Sequence, residues 1–329
     1  MTRRKLLSVI LAVVIMSTMV LFAGCKDGTV GKSNWTTNGG DPSLSKQDEV
    51  SADKLVKFGK YPQTKAASDI QSKILSNVKI DPETGLWTEF EDDSMFAKYD
   101  LETGYFVYQA KENGEKKTEQ YYMASGDTLY LVEDIHWVVL ETSGSDSILI
   151  SSKILDGGRA YNDLYGECTW ETSSMRDWLN GTDAYSVNNG EFYKDQLNFI
   201  NRAFSEAEIS KIKNVTNSCK DNDTYKTEGG NDTEDLVYLL SAEEFVKYFT
   251  KESGFNSMAY GTDYAKGRGL STDGNSAGTW WLRDPGAQTF MLAVDRSGNV
   301  TDGGYSVNDI AQGIRPVIKV PTDALKSVA

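Results

Sequence analysis

The stretch TWWLRDPG, Thr279 to Gly286, decides how the rest of the chain is read. In an extended strand, successive side chains point to opposite faces. Trp280 then lies with Leu282, and Trp281 with Arg283. One indole meets the core, and the other needs either a second packed layer or a ligand. In the packing alternative, one Trp joins the main core and the other lies beneath residues 252–278. In the binding alternative, Trp281 is a platform for the apolar face of a sugar ring. Arg283 and Asp284 then hydrogen-bond the ring's edge, and Tyr305 stands on the same face.

Working outward, the C-terminal side is β-rich. Thr279–Arg283 and Thr289–Val294 read as strands, with a turn at Asp295–Asn299, a partner beginning at Val300, and a closing strand over Gly313–Val320. Pro316 restricts that last strand to an edge or a bulge. On the N-terminal side, residues 252–278 are glycine-rich without periodicity and read as a long loop, of a length that is usually either functional or disordered. Before them, Leu236–Leu240 is an apolar strand running into Ser241-Ala242-Glu243-Glu244, a capping box that opens a helix. Ser205 and Glu208 form a second such box. Met175, Trp178 and Leu179 define a helix capped by Thr172 or Ser173 and stopped at Asn180-Gly181. Leu197, Ile200 and Phe204 mark another helix, and residues 65–78 a short one. Asp134–Glu141 and Ser147–Ser152 form a hairpin, and Gly104–Gln109 and Glu119–Ala124 are shorter strands. Lys57–Gln63 is a strand ended by a Pro62 turn. Strands, then helices, then strands predict an α+β domain with a mixed, mostly antiparallel sheet and a few short helices, its two ends paired in one sheet.

The chain opens with Arg3, Arg4 and Lys5, then an uncharged apolar run to Phe22. That is the plan of a secretory signal, with an uncleaved membrane helix as the alternative. Phe22-Ala23-Gly24-Cys25 resembles the lipobox of bacterial lipoproteins, which implies cleavage before Cys25 and lipid on its sulfur. The expected division is a signal over residues 1–24, a flexible Gly/Ser/Asn tether over 25–54, and a folded domain over 55–322. The expected location is the outer face of a bacterial membrane, with the bilayer as partner through the anchor.

The chain carries 34 basic and 48 acidic residues. Residues 1–24 hold three of the basic and none of the acidic, so 31 against 48 leaves a balance of −17 beyond them. Such acidity repels nucleic acid. Besides Cys25, Cys168 and Cys219 remain, either one disulfide or two free thiols. His136 is the one histidine, which excludes a histidine-rich metal site. No nucleophile elbow accompanies it, so it reads as a structural strand residue. Asp302, Asn308 and Asp309 offer clustered oxygen ligands, with Asp263 in the long loop, so calcium is the one metal considered. No cofactor is otherwise indicated.

An ordered set of motifs carries a resemblance. These are Phe58-Gly59-Lys60-Tyr61-Pro62-Gln63, Ile135-His136-Trp137, Trp170-Glu171 with Met175-Arg176-Asp177-Trp178-Leu179-Asn180, Leu240-Ser241 with Glu244, Trp280-Trp281-Leu282-Arg283, and Gly313-Ile314-Arg315-Pro316. Together, over about residues 55–320, they resemble a bacterial cell-surface domain family of unknown function. More distantly they resemble the C-type-lectin-like fold of formylglycine-generating-enzyme relatives. The resemblance implies that fold and no agreed activity. The oxidase cysteines of that group fall late in the domain, whereas no cysteine follows Cys219. No catalytic residue is assigned. The preferred expectation is a non-catalytic binding module for a glycan, a peptide or another surface protein, its face near Trp281, Arg283, Asp284 and Tyr305. The alternatives are an extracellular hydrolase using a carboxylate pair and a structural spacer.

Overall fold

The computed structural model describes residues 55–101, 103–182, 198–250, 253–273 and 277–328. The expected signal, the lipidated Cys25 and the tether lie outside them. In chain order the first half is strand-rich: β1 (Leu55–Lys65), α1 (Ser68–Asn77), β2 (Phe90–Glu91), β3 (Met95–Asp100), β4 (Tyr105–Glu112), β5 (Glu115–Lys116), β6 (Gln120–Ser125), β7 (Thr128–Ser143) and β8 (Asp146–Ser151). Short helices and strands follow: α2 (Ser174–Asn180), α3 (Phe199–Ala203), α4 (Glu206–Ile209), β9 (Val215–Asn217), β10 (Thr233–Asp235), β11 (Val237–Tyr238), α5 (Ala242–Tyr248), β12 (Ala259–Tyr260), α6 (Asp263–Arg268) and β13 (Ala277–Gly278). The chain closes with β14 (Trp280–Pro285), β15 (Phe290–Val294), β16 (Tyr305–Ser306), β17 (Val317–Pro321) and β18 (Lys326–Ser327). The architecture is mostly antiparallel sheet with a few short helices, consistent with an α+β fold. Among the described residues no helix is long and apolar enough to cross a membrane.

The organising strand is β7. Its residues 130–138 pair with β1, its residues 128–131 with β6, and its residues 137–143 with β8. A strand has two edges, so these overlaps put β1 on one edge and leave β6 and β8 to share the other. β17 then pairs with β8, and β11 with β17. β18 pairs with β1, with Val56 opposite Ser327, so the first and last strands meet in one sheet. A separate three-stranded sheet holds β14, β15 and β16.

Pro62 does not end its strand. β1 continues to Lys65 through a register shift between Pro62 and Thr64. Pro62 itself stays opposite Val132, and the bulge falls just after it, at Gln63. Residues 252–278 likewise contain more than a loop. Thr262 caps α6 by accepting a hydrogen bond from Ala265 N, and β12 pairs with β13. Elsewhere the local signals hold. Ser205/Glu208 and Ser241/Glu244 both make reciprocal capping boxes. Ser173, not Thr172, caps α2, and Gly181 ends it at φ 70° in the left-handed region.

Two apolar clusters fill the interior. The larger unites Trp137, Trp170, Trp178, Trp280 and Trp281 with residues of β7, β8, β14, β15 and β17. The smaller lies under α1 and joins Ile74 to Met95, Phe106, Tyr122 and Leu129.

Candidate ligand-binding face

The paired tryptophans resolve into two packed layers. Trp280 faces Phe245 and Phe249 at centroid distances of 5.9 and 6.3 Å. Trp281 faces Tyr161 at 5.5 Å and Tyr305 at 6.5 Å. Both side chains are 0% exposed. A sugar cannot stack on an indole with no open face, so the platform role expected of Trp281 is corrected to a core role. Trp280 and Trp281 have different neighbours and both are packed, and those neighbours lie outside residues 252–278.

Arg283 is also buried. Its guanidinium donates to the Leu239 carbonyl at 2.8 Å and pairs with Glu244, which also closes the α5 capping box through Ser241 N. The Asp284 Oδ2 accepts from Ala242 N at 2.6 Å, in the first turn of α5. Burial raises the Asp284 carboxyl to about 6, against the opposing pull of Arg283. Both residues therefore anchor β14 to α5, and the buried Arg283 is closed to a surface ligand. Of the four, Asp284 and Tyr305 are half-buried, the Tyr305 ring edge-on to Trp281.

The expected calcium ligands are engaged singly. Asp302 accepts from the Tyr225 hydroxyl at 2.6 Å, Asn308 hydrogen-bonds Ser306, and Asp309 accepts from Ala311 N at 2.8 Å. Asp263 accepts from Lys65 N, on a different part of the molecule. Among the described residues, no group of three or more His, Cys, Asp or Glu is placed to hold a metal ion. Cys168 and Cys219 are both free thiols. Burial pushes each up to about 11, so both are protonated at neutral pH. The loops carrying them are tied by Asp235, which accepts from Trp170 Nε1, Asn217 Nδ2, the Thr233 hydroxyl and Arg176 Nε.

What the face near β14–β16 does expose is apolar. Leu164, Tyr165, Phe290 and Ile310 are 77%, 67%, 39% and 56% exposed. The segments that carry them touch. Asn162 N donates to the Val307 carbonyl at 2.8 Å, Val307 N to the Thr289 carbonyl at 3.0 Å, and the Thr289 hydroxyl meets the Tyr165 hydroxyl at 3.3 Å. Phe290 stands opposite Ser306, next to Tyr305. The loop over residues 162–165 is held firmly, since Asn162 accepts from Ser174 N and Asp163 N donates to the Ser174 hydroxyl at the start of α2. The two aromatics at the centre, Tyr165 and Phe290, escaped the sequence reading. Their flanks carry no motif, and only the docking of the loop against β15 and β16 makes them neighbours.

A family model for a domain of unknown function, DUF6273, matches residues 145–322, over half of the chain. The chain belongs to the DUF6273 family. No curated protein and no solved structure matches it. The DUF6273 match runs from the β7–β8 turn to just past β17 and contains the whole apolar face. It starts later than the expected span of the resemblance, about 55–320, so β1 to β7 stand outside it while sharing the sheet.

Proposed function

We propose that this chain is a non-catalytic binding module of C-type-lectin-like fold, held outside a bacterial cell by lipid on Cys25. It engages a glycan or another surface protein through the face of Tyr165, Phe290, Leu164 and Ile310, with Tyr305 beside them. The observation that carries this reading is the clustering. Of the eight large apolar side chains that are exposed among the described residues, four sit on mutually hydrogen-bonded segments of this one face. Scattered exposed apolar residues need no explanation, whereas grouped ones mark an interaction surface. Tyr and Phe add large contact area for little conformational entropy, and an aromatic ring suits the apolar face of a pyranose.

The lectin-like reading draws on the same motifs as before and on the meeting of the chain ends in one sheet. The anchor rests on the basic, apolar and Ala-Gly-Cys pattern of residues 3–25. The test is a binding screen of the full chain in detergent micelles against glycans, cell-wall fragments and surface proteins, with and without calcium. A ligand retained by the parent and lost by Tyr165→Ala/Phe290→Ala, at equal melting temperature, supports the proposal. Turnover of a screened compound, or a ligand that the double variant holds equally well, overturns it. Both side chains are exposed, so the expected change in stability is within ~0.5 kcal/mol.

A further inference from the structure

A groove of about 560 Å³ opens far along the sheet from the apolar face in sequence, between the β1–β7 pair and the start of α6. That volume suits a small molecule. Register shifts at Lys57/Lys60 and Pro62/Thr64 loosen the β1–β7 ladder along one wall. The end of β8 supplies Ser152 and Lys153, and Thr262, Asp263 and Lys266 close the other side.

The charged groups here divide by whether the wall already satisfies them. Glu133 accepts from Thr64 N at 3.0 Å. Asp263 accepts from Lys65 N at 3.2 Å and pairs with Lys266 at 3.5 Å. Asp134 pairs with Lys57 at 3.7 Å. Each carboxylate thus has a donor, from the lining for Glu133 and Asp263 and from neighbouring Lys57 for Asp134. Lys60, Lys153 and the His136 ring line the same space with no hydrogen-bond or ion-pair partner among the described residues. Two ammonium groups and an imidazole thus remain as donors in the groove, on a chain whose net charge is −14.

We propose that Lys60, Lys153 and His136 bind a small anion carrying a carboxylate or a phosphate group. A carboxylate or phosphate accepts charge-assisted hydrogen bonds from both ammonium groups and from the imidazole N–H. The groups around the ring set how it responds. Burial lowers the His136 pKa, with Lys57 on β1 and Lys153 after β8 adding to the effect, while Asp134 and Glu133 on β7 oppose it. Lys266 and Asp263 on α6 face the same groove as a pair. An anion among the lysines offsets their field, so binding raises the imidazole pKa.

The chain has one histidine, so its ring signals in a nuclear magnetic resonance spectrum identify themselves. The experiment titrates those signals with pH in the full chain in micelles. It compares chloride buffer with millimolar inorganic phosphate, glucuronate, and uncharged glucose as control. An upward shift of the midpoint with phosphate alone identifies phosphate as the ligand group, and with glucuronate alone a carboxylate. Either result, weakened at least about tenfold in Lys60→Ala/Lys153→Ala at unchanged melting temperature, supports the proposal. No shift with either anion, an equal shift with glucose, or a shift that survives in the double variant overturns it.

Discussion

At the scale of single residues, the chain sets pairs of side chains to structural work that their chemistry could equally have directed to a ligand. Trp281 is buried between Tyr161 and Tyr305. Trp281→Ala is expected to cost about 3–5 kcal/mol in denaturant unfolding, and Trp281→Phe clearly less, because the cavity is smaller. A loss within ~0.5 kcal/mol for the alanine variant would refute the core role. Asp284 gives a pH dependence of definite sign. Its carboxyl is raised from its ordinary 3.8 to about 6, so the folded state holds the proton more tightly than the unfolded chain. This contribution to stability is greatest below pH ~4 and falls as pH rises through about 6. Asp284→Asn keeps an acceptor for Ala242 N and removes the titration. Its stability relative to the parent is expected to climb across that window by on the order of 2 kcal/mol. A constant difference between the two across the window would count against this. The alternation that placed Trp280 and Trp281 on opposite faces was legible in the sequence. That both faces were covered was not, because the covering residues Tyr161, Phe245 and Phe249 come from distant segments.

At the scale of elements, the capping boxes show why short-range chemistry reads well. Each needs only a Ser and a Glu three residues apart, and both formed. Their surroundings differ. Glu208 sits at the surface and adds one bond to Gly59 N, whereas Glu244 also neutralises the buried Arg283. Glu244→Ala is therefore expected to cost about 3–5 kcal/mol, since it strands a buried cation, against about 1 kcal/mol for Glu208→Ala. Equal losses by chemical denaturation would show that the Arg283 pair contributes nothing. The helix at Asp263–Arg268 was missed because it is six residues long and carries Gly267, too short to show a period. β1 was read as ending at Pro62 because proline usually closes a strand, and here the strand runs on past it with a bulge just after. Tyr165 and Phe290 lie 125 positions apart, and only the loop's hydrogen bonds to β15 and β16 bring them together. No local pattern encodes such a meeting, and the groove beside His136 is hidden for the same reason.

At the scale of the whole molecule, the expectation that the ends of the folded part share a sheet came from order alone, strands before and after helices. β1, β17 and β18 meet it. Buried Arg315 has no acidic partner among the described residues. It donates to the Ser151 carbonyl at 2.8 Å and lies over Trp280 at 5.0 Å and Phe249 at 5.4 Å, and burial lowers its pKa. The aromatic rings partly replace the missing carboxylate.

The shared edge of β7 bears on how the family's unit stands by itself. A chain begun at Ser145 keeps β8 but loses the strand beside it, together with Trp137, whose indole N–H holds the Phe58 carbonyl at 2.7 Å. Its amputated flank would present a bare row of amide groups along Leu149 and Ile150, a template on which a second molecule could zip. In the whole chain β7 covers that flank.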